Sequence, residues 1–252
     1  ALRMLRAVRF AAVLGFSIED NTKYAICELA EKLKLVSKER VFIELDKIIC
    51  SKNAYYIKEV YNTGLYKYIS PSFDFIKKSS YIDMIIIKGK ETKRHIAWTL
   101  FMKDLTADLA KHTLKELKVD RDTFTKVFTL VDSIHIILSD KDSDIRKLLS
   151  KIGFDRFRDL IYIKRLLSNK FNESEEMLSL IDKKINEIEL RQDAISIAML
   201  DIKGDDLMQL GIEKGPVIGE VLGNLLEAVL EDPKLNSNEI LLNMAKELKD
   251  KY

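Results

Sequence analysis

The sequence predicts an all-α protein, built as an elongated array of many helices. Three observations carry that expectation. Glycine accounts for 9 of the 252 residues and proline for 3, so chain-breaking positions are sparse. Apolar residues recur at helical spacing along nearly the whole chain. The one strand-like run, Tyr81-Ile82-Asp83-Met84-Ile85-Ile86-Ile87, has no second strand to pair with, so helix is the better reading for it. Hydrophobic residues make up 47% and charged residues 33%, which suits a chain that buries a sizeable core and argues against disorder.

Taken in order, residues 1–14 read as a helix that begins without a capping residue and is stopped by Gly15, which reaches left-handed dihedrals without steric cost. Asp20 or Asn21 caps a second helix running to about Leu33, with Tyr24, Ile26, Cys27, Leu29 and Ala30 as its apolar stripe. Ser37 opens a third helix through Val41, Leu45, Ile48 and Ile49. A fourth, from Asn53 to Tyr61, closes at Asn62-Thr63-Gly64. Ser70-Pro71 is the first strong break and a natural joint. Helices follow at about 93–103, 106–117, 121–138, 142–152, 154–168 and 173–190, with Asp120-Arg121-Asp122 and Ser139-Asp140 as boundaries. A connector at Lys203-Gly204 leads to a short helix, Gly215-Pro216 starts the next, and Asn236-Ser237-Asn238-Glu239 the last. No fixed-period repeat is present, which disfavours a solenoid.

Lys and Arg total 42 against 40 Asp and Glu, a net charge of +2, so a phosphate-bearing partner must be met by local patches rather than a global field. Cys27 and Cys50 lack metal-ligand spacing and read as two buried, reduced thiols, the usage of a cytoplasmic protein. No apolar run is long enough to span a bilayer, and no membrane partner is expected. His95, His112 and His135 have no ligand-like spacing. Asp142-Ser143-Asp144 sits at a helix start, where capping explains it, and not after a Gly-Ser turn, so no metal site is assigned.

The first helix carries Arg3, Arg6 and Arg9 at every third residue, spread over an arc of roughly 120°. Leu5, Val8 and Ala12 fall opposite and point inward. With no acid among them the three guanidiniums repel one another. Carboxylates elsewhere in the fold, or an anionic ligand such as a triphosphate or a base edge, would offset that repulsion. A solvated arginine face making ordinary ion pairs is the alternative.

The run Ala1-Leu2-Arg3-Met4-Leu5-Arg6-Ala7-Val8-Arg9-Phe10-Ala11-Ala12, continuing through Leu14-Gly15-Phe16, resembles the start of the neck domain of class II tRNA nucleotidyltransferases, the bacterial-type CCA-adding enzymes and their poly(A) polymerase relatives. In that family a Glu-Asp pair precedes such a segment, and its Asp and the following Arg read the Watson–Crick edge of incoming CTP or ATP. The resemblance makes Arg3 that arginine and places Arg6 and Arg9 against the nucleotide. Ser37-Lys38-Glu39-Arg40-Val41-Phe42-Ile43-Glu44 resembles the next motif, whose Glu39, Arg40 and Glu44 would brace the arginine helix. Arg40 and Glu44 are also spaced to pair at i, i+4, and Glu39 and Glu44 could answer the arginine face. Ile202-Lys203-Gly204-Asp205-Asp206-Leu207 and Gly211-Ile212-Glu213-Lys214-Gly215-Pro216-Val217-Ile218-Gly219 resemble the family's tRNA-contacting segment. Pro216 at a helix start leaves N–H groups for phosphate. Lys203, Gly204, Lys214, Gly215 and Gly219 are the expected contacts.

The resemblance implies a neck at 1–70, a body at 71–191 and a tail at 192–252, in an enzyme that adds C, C and A to tRNA from CTP and ATP. The family's catalytic head, with its Asp-x-Asp ligands for Mg2+, has no counterpart in these residues, so this chain alone is expected to be catalytically silent. A poly(A) polymerase, a CC-adding or A-adding enzyme, and a non-enzymatic helical RNA-binding module are the other readings. Oligomeric state is not legible.

Overall fold

A computed structural model describes residues 1–76, 83–168 and 170–249. Among them are 13 α-helices, joined by 3-10 turns, and no strand. Two compact units divide between Ile136 and Ile137, within the segment expected as body.

The first unit holds α1 (Leu2–Leu14), α2 (Asp20–Leu29), α3 (Lys38–Ile49), α4 (Ile57–Asn62), α5 (Arg94–Met102), α6 (Ala107–Glu116) and α7 (Arg121–Ser133). Helix α1 forms where the alternation predicts: Leu5, Val8 and Ala12 are fully buried, and Gly15 ends it at φ 77°, ψ 18°. Asn53 then donates its side-chain N–H to the Ala12 carbonyl at 2.9 Å, satisfying one of the oxygens that a helix end leaves open. The buried face of α1 packs on α3, whose own Val41, Leu45, Ile48 and Ile49 are buried. One carboxylate ties α3 to later helices: Asp46 accepts from Arg94 at 2.7 and 2.8 Å and from the Trp98 indole at 2.9 Å. Trp98, Phe101 and Phe73, edge to face at 5.5–6.1 Å, fill the core beneath it.

Several elements differ from the sequence reading. Glu19, not Asp20 or Asn21, caps α2, its carboxylate accepting the Thr22 N–H at 2.9 Å. The helix ends at Leu29 and tightens into a 3-10 turn, Ala30–Leu35. Of the expected stripe, only Ile26 and Ala30 are buried; Tyr24, Cys27 and Leu29 face solvent. Position 24 lies about 160° round the helix from position 26, and 27 about 100°, so a helix packing along the line 26–30–33 leaves both outside. The fourth helix begins as a 3-10 turn, Ala54–Tyr56, and Gly64 closes it at φ 71°. Ser70 opens a 3-10 turn, Pro71–Phe75, inside the first unit. Of the strand-like run, Met84–Ile87 is a 3-10 turn, while Tyr81 and Ile82 lie outside the described residues.

The two thiols are not both buried. Cys27 is exposed. Cys50 lies 3.6 Å from Asp46 Oδ1, and burial, with the Asp46 charge added, pushes its thiol up to about 12. A thiol of that pKa is thiolate in about one part in ten thousand at pH 8. Labelling with a thiol reagent at pH 8 should therefore show one fast site, and Cys27→Ser should abolish the fast phase; a fast phase surviving that substitution would show Cys50 to be reactive.

The second unit holds α8 (Asp142–Ile152), α9 (Phe154–Leu166), α10 (Glu175–Arg191), α11 (Gly204–Gln209), α12 (Pro216–Glu231) and α13 (Asn238–Lys249). Asp142 does not cap α8 as expected: Lys141 holds that position, and Asp142 pairs with Lys184 at 2.9 Å and Arg191 at 3.3 Å. The hydrogen bond from Lys184 is the main reason its carboxyl stays below the ordinary value. Leu207, Val221, Leu225, Val229 and Leu241 form the core under α11–α13. Arg146, 4% exposed, donates to the Leu230 and Glu231 carbonyls at 2.8 Å each, so a buried guanidinium caps the C-terminal end of α12 and fixes where its other end points.

Candidate functional site

The arginine face of α1 is split by its neighbours. Arg9 turns inward: its Nε lies 2.9 Å from Glu44 Oε2, with side-chain exposures of 16% and 10%. The two atoms touch as an ion pair without the alignment of a hydrogen bond. The Arg9 guanidinium also covers the Phe10 ring at 4.1 Å, and Arg6 approaches the same ring at 6.0 Å. Arg3 and Arg6 are exposed and form no ion pair among the described residues. Two positive groups thus remain on an open face, beside a third that is anchored.

Glu44 answers the arginine face as expected, and its partner is Arg9. The i, i+4 pair of Arg40 with Glu44 is not formed. Glu44 is buried against α1, where only a close cation offsets its desolvation, whereas Arg40 is exposed and stays hydrated. Glu39 turns away from the arginines to Lys118, whose hydrogen bond holds the Glu39 carboxyl below its ordinary value. Phe10 was not singled out by its sequence, although its place after Arg9 and four residues beyond Arg6 was a usable signal.

A second set of expected residues gathers where α11 meets α12. Lys203 and Lys214 are exposed, and the Lys203 N–H is held by Asp206 at 2.7 Å. Gly215 precedes α12 with no side chain capping it, Pro216 is the first helical residue, and no acid lies in the first turn. Open space surrounds the positions where a Cβ would stand at Gly215 and Gly219. Gly204 is different: a Cβ there would meet Ile218 at 3.4 Å, so it lets α11 pack on α12.

A third grouping had no sequence forecast. The turn Ala54–Tyr56 sets Tyr55 against Tyr56 at 4.8 Å beside a cavity of about 250 Å3. Among the described residues no cluster of three or more His, Cys, Asp or Glu could hold a metal ion. His135 Nε2 instead lies 2.9 Å from the Lys103 carbonyl. No helix among the described residues is long and apolar enough to cross a membrane.

Comparison with known proteins gives this geometry a context. A family model described as tRNA nucleotidyltransferase domain 2 matches residues 90–245, and one described as "Probable RNA and SrmB-binding site of polymerase A" matches residues 15–76. A CCA-adding enzyme of Leuconostoc mesenteroides is 30% identical over 98% of this chain and 59% of its own length. One of Lactococcus lactis is 26% identical over the same shares. The crystal structure of the Bacillus stearothermophilus CCA-adding enzyme in complex with CTP superposes with a TM-score of 0.77 at 19% identity, covering 99% of this chain and 62% of that one, a likeness of fold. The chain spans about three-fifths of the length of these relatives.

Proposed function

We propose that this chain, which belongs to the tRNA nucleotidyltransferase family, is the base-selecting and tRNA-holding portion of a cytoplasmic enzyme that adds C, C and A to tRNA 3′ ends from CTP and ATP. The observation that carries the reading is the division of labour on α1. Arg9 is committed to Glu44, while Arg3 and Arg6 keep their guanidiniums exposed with no carboxylate partner among the described residues. A guanidinium presents several N–H donors in one plane, the geometry that meets the ring acceptors of a base edge or the oxygens of a triphosphate. Cytosine and adenine share a ring-nitrogen acceptor beside an exocyclic amine, so one arginine can serve both. Arg9, stacked on Phe10 and held by Glu44, keeps the helix surface rigid beneath that contact.

The functional division that follows is neck at 1–70, body at 71–191 and tail at 192–252. In the tail, Lys203, Lys214 and the open backbone at Gly215 and Gly219 meet tRNA phosphates at the uncapped start of α12. Mg2+, which phosphoryl transfer of this kind uses, finds no donor set among the described residues.

The test is nucleotide incorporation by the gene product containing this chain, on tRNA ending before CCA. Addition should stop after two residues with CTP alone and complete only when ATP follows. Arg6→Gln should lower CTP and ATP incorporation about 100-fold, the loss of a bidentate charged contact, while leaving the melting temperature within 2 °C. Repeated ATP addition in the absence of CTP would make it a poly(A) polymerase instead. Unchanged incorporation by Arg6→Gln would remove Arg6 from nucleotide contact, and unchanged incorporation by Arg3→Gln as well would remove α1 from base selection.

A further inference from the structure

We propose that the surface around Tyr55 is a stacking platform for single-stranded RNA, distinct in residues from the arginines of α1 and from the α12 segment. The proposal rests on RNA being the substrate and adds a second place where the chain holds it.

Tyr55 and Tyr56 are half-buried, which fixes their rings, and their centroids lie 4.8 Å apart with the planes tilted by 37°. Two lysines converge on one of these rings: Lys58 Nζ and Lys88 Nζ each lie 5.4 Å from the Tyr55 centroid. Lys88 is brought there by a backbone hydrogen bond from the Gly89 N–H to the Lys52 carbonyl, 2.7 Å, which also sets Lys52 nearby. Lys52, Lys58 and Lys88 form no ion pair among the described residues. The adjoining cavity, about 250 Å3, is formed by Tyr55, Tyr56 and Lys58 with Ser17 and Ile18 from the lead into α2 and Lys23 from its first turn. Its one carboxylate, Glu59, is buried and faces Lys23 at 4.0 Å, so its charge is already matched.

Two like charges over one ring repel one another unless an anion joins them. An exposed ammonium over a ring is weakly held, and a stacked base is held more strongly, so a base can displace a lysine and leave the ammonium to face the adjoining phosphate. A strand of RNA offers flat rings and anions in alternation, and the cluster offers their counterparts within a few ångströms. An acidic peptide supplies the anions but nothing for the rings.

The measurement is fluorescence anisotropy of a labelled single-stranded decanucleotide, without any tRNA elbow, titrated with this 252-residue chain at several salt concentrations. Tyr55→Ala should weaken binding about tenfold or more, and Tyr55→Phe, which keeps the ring, should stay within about twofold. Lys58→Gln with Lys88→Gln should reduce the slope of log K against log salt by about 1.4, near 0.7 per phosphate contact in single strands. Wild-type affinity in Tyr55→Ala, an equal loss in Tyr55→Phe, an unchanged salt slope, or no binding of the oligonucleotide at all would each overturn the proposal. So would an Asp/Glu decapeptide that displaces the RNA at matched charge, which would make this a protein-docking surface. No triphosphate is present, so failure here leaves base selection by α1 standing, and failure there leaves this result unaffected.

Discussion

Lys164→Met is expected to destabilise the second unit by about 3–5 kcal/mol, the cost of leaving a buried charge without its partner. Lys164 Nζ lies 2.7 Å from Glu173 Oε1, with side-chain exposures of 1% and 4%. The same oxygen accepts the Leu138 N–H at 3.1 Å, and the Lys164 ammonium sits 4.3 Å from the Phe171 ring. Methionine matches the lysine stem in length and hydrophobicity, so packing is largely kept and what is lost is the charge. Adding Glu173→Gln to Lys164→Met should recover most of the loss, because a neutral amide still accepts from Leu138 and carries no unpaired charge. Chemical denaturation of the two variants measures this. Equal stability of the single and double variants would show that the pair's charge is unimportant.

The pH dependence of the same pair has a definite sign. Burial alone would raise the Glu173 carboxyl, but the hydrogen bonds from Lys164 and Leu138 outweigh it and hold the group below its ordinary value. A carboxyl lowered in the folded state contributes stability that is complete above its unfolded value, about 4.3, and is lost as pH falls through the folded one. In Lys164→Met the sign reverses. The carboxylate is then buried without a cation, its pKa rises, and acidifying from pH 7 to 5 should narrow the gap to wild type.

Local rules made the helices legible, and tertiary competition decided what they left open. The stop at Gly15, the start at Pro216 and the inward face Leu5, Val8 and Ala12 follow from backbone freedom and helical period, and all three are found. The stripe of α2 failed because its packing line is narrow, and a sequence does not say how many neighbours a helix has. Side-chain partners were harder still. Arg40 and Glu44 have ideal spacing, yet Glu44 pairs with Arg9, thirty-five positions away, because the contact of α1 with α3 desolvates Glu44 and only Arg9 is within reach there. The Tyr55 cluster joins residues from three separate segments and had no local signature. Motif resemblance located the exposed arginines; the fold determined which of the three is anchored.

That distinction makes Glu44 and Arg6 behave differently when altered. Glu44→Gln removes the charge that holds Arg9, leaving a mostly buried guanidinium with no carboxylate, and should cost about 2–4 kcal/mol of stability. Arg9 and Phe10 would lose their fixed arrangement, and incorporation of CTP and ATP should fall in the same variant, since Arg6 shares the Phe10 ring with Arg9. Arg6→Gln, on an exposed position without an ion pair among the described residues, should lower incorporation while hardly changing stability. Pairing Glu44→Gln with Arg9→Met should restore stability, because the buried charge is then gone from both sides. Incorporation should stay low, because the platform under Arg6 is altered. A double variant regaining both would show that Arg9 supports the fold only. One regaining neither would show that the pair's packing, rather than its charge, holds α1 on α3.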